Sequence, residues 1–129
     1  MENAFEELPG LVVVVEKIVY MPDLDAPPER PHPFVYFLNI KNNSTELVQI
    51  VGRKWVVREL SDNEVVVVEG DGVVGQTPEI AVGENFSYNS YHITRGNARA
   101  EGAFFGQTGD GKRVMVRIPS FDLEIPAGA

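Results

Sequence analysis

The sequence predicts an all-β fold: an immunoglobulin- or fibronectin type III-like β-sandwich of seven to eight strands. Three observations carry this. No segment shows a helical hydrophobic period; apolar residues alternate or run in short β-branched blocks such as Leu11–Val15 and Val65–Val68. Turn residues recur roughly every 8–12 positions, the spacing of a sandwich rather than of βαβ units. The chain has no cysteine, which excludes the inter-sheet disulfide of antibody domains and leaves the fibronectin type III arrangement as the nearer relative.

The elements follow in order. Leu11–Tyr20 is a first strand. Met21–Pro33 carries five prolines; proline fixes φ and has no ladder donor, so this is a long, stiff connection. Within it Pro28–Pro31 has the P-x-x-P spacing of a polyproline II ligand. Phe34–Lys41 is a second strand with Phe34, Tyr36, Leu38 and Ile40 on one face, and Asn42–Asn43–Ser44 is a turn. Leu47–Glu59 is the third and longest strand. Its apolar parity changes between Ile50 and Trp55, so a β-bulge is expected at Gly52–Arg53, turning Trp55 into the core. Ser61–Asp62–Asn63 turns the chain into Glu64–Glu69, and Val82–Gly83–Glu84 leads into Asn85–Tyr91, with Phe86 and Tyr88 inward. Ala100–Gly106 follows the turn Arg95–Gly96–Asn97. Thr108–Gly109–Asp110–Gly111 is a hairpin signal. Val114, Val116 and Ile118 form the inward face of the last long strand, Phe121–Ile125 is a short edge, and Pro126–Ala129 frays.

At 129 residues this is a single domain, 1–129, with its core at about 11–125. The acidic start MENAFEELPG has no basic region before an apolar one, and Leu11–Val15 is too short to span a bilayer, so a soluble, cytoplasmic protein is expected. A net charge of −8 opposes attraction to nucleic acid and to anionic membranes. The charge is uneven. Glu59–Glu84 holds seven acidic residues and no basic one, whereas Arg95–Arg117 holds five basic residues against two acidic.

The stretch Val65–Pro78, VVVVEGDGVVGQTP, contains Gly70, Gly72 and Gly75 at G-x-G-x-x-G spacing. A dinucleotide fingerprint needs a helix opening at the glycines, whose N-terminus supplies N–H groups to the phosphate. No helix pattern follows here, Gln76-Thr77 is not the Lys-Ser/Thr of a Walker loop, and Glu69, Asp71 and Glu79 would repel an anion. The glycines therefore read as positions of positive φ or close backbone packing beside Val73–Val74. Nucleophilic catalysis has little to work with. His32 lies between prolines, and His92 stands near Ser90 with no identifiable carboxylate, so surface or capping roles are expected of both. Asp23, Asp25, Glu29 and His32 match no metal-ligand spacing. Arg113 and Arg117 share the outward face of the last long strand, and Arg53, Lys54 and Arg58 mark the third; were these strands neighbours, a basic stripe would result.

Several blocks taken together resemble the ApaG family (the DUF525 domain): Arg53-x-Trp55, GDGVVGQTP from Gly70 to Pro78, GENFSYNS from Gly83 to Ser90, Gly102-x-Phe104, and IPSFDL from Ile118 to Leu123. The match runs from about Val12 to Leu123. It implies the same sandwich. The domain's occurrence in eukaryotes within an F-box protein and a DNA-polymerase-interacting protein implies a protein-interaction module. The bacterial gene often neighbours one for a diadenosine tetraphosphate hydrolase, and the glycine motif carries the implied alternative of pyrophosphate binding. The chain departs from the family pattern at Lys54, where a histidine commonly stands, and at Ala98-x-Ala100-x-Gly102-x-Phe104, where the pattern is G-x-M-x-G-x-Y.

The expected function is a non-enzymatic module binding a protein partner, with a small-ligand site for pyrophosphate or a dinucleoside polyphosphate as the alternative. The expected binding residues are Arg53, Trp55, Gly70, Gly72, Val73, Val74, Gly75, Pro78, Arg113 and Arg117. No catalytic residue, metal or cofactor is assigned, and the exposed strand edges leave a homodimer open.

Overall fold

The computed structural model describes residues 5–129; Met1–Ala4, the first part of the acidic start, lie outside them. The described residues form strands β1 (Glu6–Glu7), β2 (Leu11–Tyr20), β3 (His32–Asn42), β4 (Val48–Glu59), β5 (Val65–Asp71), β6 (Glu79–Ile80), β7 (Asn85–Thr94), β8 (Ala98–Thr108) and β9 (Arg113–Leu123). None of them is helical, so no helix among them is long and apolar enough to cross a membrane.

Two sheets make the sandwich. One runs β1-β9-β8-β4-β5, with β6 also on β4; the other runs β2-β3-β7. Every pairing is antiparallel except β1 on β9. The seven long strands thus divide three against four. Between the layers lie Phe34, Tyr36, Leu38 and Ile40 from β3, Trp55 and Val57 from β4, Phe104 from β8, and Val114, Val116 and Ile118 from β9, all buried. The period-two faces read from the sequence are the faces that pack.

Four expectations need correcting on detail. The bulge in β4 falls between Ile50 and Gly52, leaving Val51 as the extra residue, not at Gly52–Arg53. The reason is local bonding: Val51 turns its carbonyl to the amide of Gly72 at 2.8 Å, while Gly52 and Arg53 stay in register with both β5 and β8. The outcome is as expected, and Trp55 is only 1% exposed. Phe121–Ile125 is not a separate edge strand. β9 continues to Leu123, with an irregularity against β8 at Pro119–Ser120 that moves the inward parity from Ile118 to Leu123.

The connection ends earlier than expected, because His32 and Pro33 already belong to β3. Pro33 stands at the strand's start, and its carbonyl accepts the Met21 amide at 3.0 Å. The Arg30 amide donates to Pro27 O at 3.0 Å, so 27–30 is a turn rather than an extended polyproline II ligand, which has no internal hydrogen bonds.

The connection is tied down through Glu59 at the end of β4. This carboxylate is buried and accepts the amides of Arg95 (2.9 Å) and Gly96 (3.2 Å) and the Arg30 guanidinium (3.4 Å). Glu59→Gln keeps the shape but turns an –NH₂ group towards donors. We expect it to lower stability by about 2 kcal/mol in urea unfolding, and an unchanged midpoint would show that the carboxylate's charge is not used.

Candidate functional site

The glycine segment is built as a hairpin. Val73 and Gln76 bridge each other, with Val73 N to Gln76 O at 2.7 Å and Gln76 N to Val73 O at 2.9 Å. The two residues between them both have positive φ, 44° at Val74 and 81° at Gly75, as a type I′ turn requires. A β-branched residue at such φ is strained, and Val74 is also 46% exposed. Gly72 has φ 63°, and a Cβ there would lie 2.1 Å from Gln76 O, so it meets both demands for glycine. The amides of Gly72, Val73 and Gln76 are each taken by a chain carbonyl.

Arg53 completes this unit. Its guanidinium lies over Gly70, where a Cβ would come within 2.8 Å of both terminal nitrogens. Nη1 donates to the carbonyls of Asp71 (2.8 Å) and Gly72 (3.1 Å). Val73 is fully buried in the core, and Pro78 lends its carbonyl to the Ile50 amide at 2.9 Å. The structure therefore brings together Arg53, Gly70, Gly72 and Val73, with Trp55 two residues along the same strand.

Arg113 and Arg117 are elsewhere. β8 lies between β4 and β9, so the condition for a basic stripe, that these two strands be neighbours, is not met. In register, Arg53 aligns through Phe104 with Val116 on the inner face, whereas Lys54 aligns through Ala103 with Arg117 on the outer face. Arg117 pairs with Glu7 at 3.1 Å, and the Arg113 guanidinium lies 5.9 Å from the Phe5 ring centroid.

What the sequence reading missed is His92 inside the aromatic cluster beside Arg53, whose Trp55 it did place in the core. Tyr36, Trp55 and His92 pack mutually, with ring centroids 4.7–4.9 Å apart. His92 was expected at the surface or as a cap; it is 8% exposed, and burial pushes its pKa down to about 4. The signal was available: Phe86, Tyr88, Ser90 and His92 share one parity, so the face that buries Tyr88 also carries His92 inward. Burial raises the Tyr36 phenol, opposed by a hydrogen bond with Ser90 and by the charge of Arg53. Tyr88 is raised further, again by burial. Trp55 Nε1, His92 Nε2 and Tyr88 Oη are buried without a hydrogen-bond partner; each such group costs about 1–3 kcal/mol. His32, by contrast, stands at the rim with Nδ1 2.9 Å from Tyr20 Oη. Among the described residues no group of three or more His, Asp or Glu side chains gathers to hold a metal, Asp23, Asp25, Glu29 and His32 included.

The comparisons agree with this architecture. The family model for the ApaG domain matches residues 22–107. Protein ApaG of Brucella anthropi is 36% identical over 118 residues, 91% of this chain and 89% of that protein. Protein ApaG of Vibrio vulnificus is 32% identical over 108 residues, 83% and 85% of the two chains. A crystal structure of a Bordetella pertussis protein carrying the name ApaA superposes with a TM-score of 0.81 at 28% identity, covering 96% of this chain and 99% of that one. With the family model matching well over half of its length and relatives more than 30% identical over most of it, the chain belongs to the ApaG (DUF525) family.

Proposed function

We propose that this chain is a non-enzymatic protein-interaction module of the cytoplasm whose β5 edge accepts an extended segment of a partner protein. One observation carries the reading. Among the described residues β5 pairs only with β4, so its other side offers ladder donors and acceptors, and it displays an unprotected valine run in which Val67 is 51% exposed and Val65 39%. Edge strands are ordinarily blunted by lysine, proline or a bulge, and Val65–Val68 has none of these. Strand addition supplies affinity through main-chain bonds and specificity through alternate side chains. Glu69 and Asp71 follow the valines and favour a partner strand that is apolar with Lys or Arg beside it. The occupied amides of the glycine hairpin and the separation of Arg53 from Arg113 and Arg117 weigh against the alternative of a pyrophosphate or dinucleotide site.

Gly72→Arg is a poor probe, because any side chain there collides with Gln76 O. Val67→Lys is a clean one, since this side chain is exposed. We expect Val67→Lys to keep its melting temperature, to lose at least about tenfold in affinity for a captured partner, and to lose the hydrogen-exchange protection that binding confers on β5 amides. Equal affinity and equal protection in a folded Val67→Lys protein would reject the β5 edge. Concentration-dependent dimerisation abolished by the same change would make a second copy of the chain the occupant instead.

A further inference from the structure

The two long sides of the sandwich are not alike. β2 packs against β9 on one side; on the other, β5 and β7 do not pair, and the layers part around a cleft of about 470 Å³. Tyr36, Arg53, Trp55, Val68, Ser90 and His92 line it. Of the three buried, unpartnered polar side-chain atoms among the described residues, two belong here: Trp55 Nε1 and His92 Nε2, on residues 1% and 8% exposed. A buried polar atom left unpaired calls for an explanation, and a ligand that bonds it is one.

The charge in the cleft is specific. No Asp or Glu lines it, and its two cations are Arg30 and Arg53. Arg30 is matched by Glu59 and Glu64 at 3.4 and 3.5 Å. Arg53 has no carboxylate partner among the described residues; its hydrogen bonds there use Nη1 alone, on neutral carbonyls, which leaves the other guanidinium donors. Its charge is felt at the Tyr36 and Tyr88 hydroxyls, which places its field inside the aromatic cluster.

We propose that the cleft between β5 and β7 binds a monocarboxylate carried on a flat apolar body. The Trp55 indole N–H and the remaining Arg53 donors meet the carboxylate, and the rings of Tyr36 and His92 with Val66 and Val68 enclose the body. One uncompensated guanidinium and one indole donor match a single negative charge held by two oxygens. A phosphate dianion would bring more charge than they neutralise into a protein of net charge −8. The carboxylate could be a free small acid or the terminus of a peptide ending in an aromatic residue. This site does not depend on the edge-strand reading, which uses the outward valines.

The chain has one tryptophan, so its indole is an unambiguous reporter. The test titrates the full chain with benzoate, with benzamide, with inorganic phosphate, and with a short peptide ending in phenylalanine, reading Trp55 fluorescence and the single indole N–H resonance. Benzoate is expected to give a saturable change with a downfield indole shift, benzamide a weaker one, and phosphate none. Arg53→Gln is expected to weaken benzoate about tenfold, with Arg53→Lys intermediate and Arg117→Gln unchanged. Tighter binding of the peptide than of benzoate assigns the carboxylate to a partner's chain end; the reverse assigns it to a small acid. Absence of any saturable response, benzamide binding as well as benzoate, or phosphate binding in benzoate's place would overturn the proposal. If Arg53→Gln fails to fold, the comparison of benzoate with benzamide on the native chain decides alone.

Discussion

Replacing Gly102 with alanine is expected to cost about 4 kcal/mol of stability, close to the limit for a single methyl group. Gly102 sits in the middle of β8, opposite Trp55, with β9 on its other side. A Cβ built there lies 2.2 Å from the Lys54 carbonyl oxygen and 3.3 Å from the Trp55 Cα. Both obstacles are backbone of the adjacent strand, so no rotamer change can make room. Accommodation means forcing β4 and β8 apart where the largest buried side chain is anchored. Gly109→Ala is the matched control, in the hairpin between β8 and β9 with open space around its Cβ position, and it is expected to stay within about 0.5 kcal/mol of the parent. Urea unfolding of the two variants measures the contrast. Equal midpoints would mean that the sheet breathes enough at its centre to admit a methyl group.

The second large effect is on pH. In the unfolded chain an imidazole takes its proton near pH 6.5, whereas His92 in the fold holds off until about 4 because burial penalises the cation. Arg30 and Arg53 line the same cleft and offer no compensating negative charge. Above pH 6.5 neither state is protonated and full stability is present. Between the two values only the unfolded chain binds a proton, so stability falls as the pH drops and levels off below about 4. The loss comes to about 3 kcal/mol. Carboxylates add their own acid dependence, so the measurement is the difference between the native chain and His92→Phe. That difference is expected to move by about 3 kcal/mol in favour of the variant from pH 7 to pH 4. Parallel pH curves would show that His92 is protonated within the fold.

Much of this was legible in the sequence where a short-range rule applied. Phe34, Tyr36, Leu38 and Ile40 announce a buried face by alternation, Thr108–Gly111 announces its hairpin, and the parity change before Trp55 announces a bulge. The exact residue of that bulge was not legible, because it depends on the Gly72 amide reaching Val51 O from twenty-one positions downstream. The same limit hid the site. Arg53, Trp55 and the glycines are marked by their own neighbourhood, but their company with Tyr36, Ser90 and His92 arises only when the three-stranded layer closes over β4. Whether β4 and β9 are neighbours was illegible for a related reason: nothing local to either strand says that β8 comes between them.

The interposed β8 also bears on how the chain reaches its fold. The ladder at the heart of the larger sheet runs from Glu59–Ala98 to Val48–Thr108, so it closes across all of β5, β6 and β7. Loops of that span lose much chain entropy before any contact repays it, which places this protein among the slow folders of its size, on a scale of milliseconds to seconds. During synthesis β4 and β5 leave the ribosome well before β8 can join them, and the face that carries Trp55 and Val57 stays uncovered through that interval.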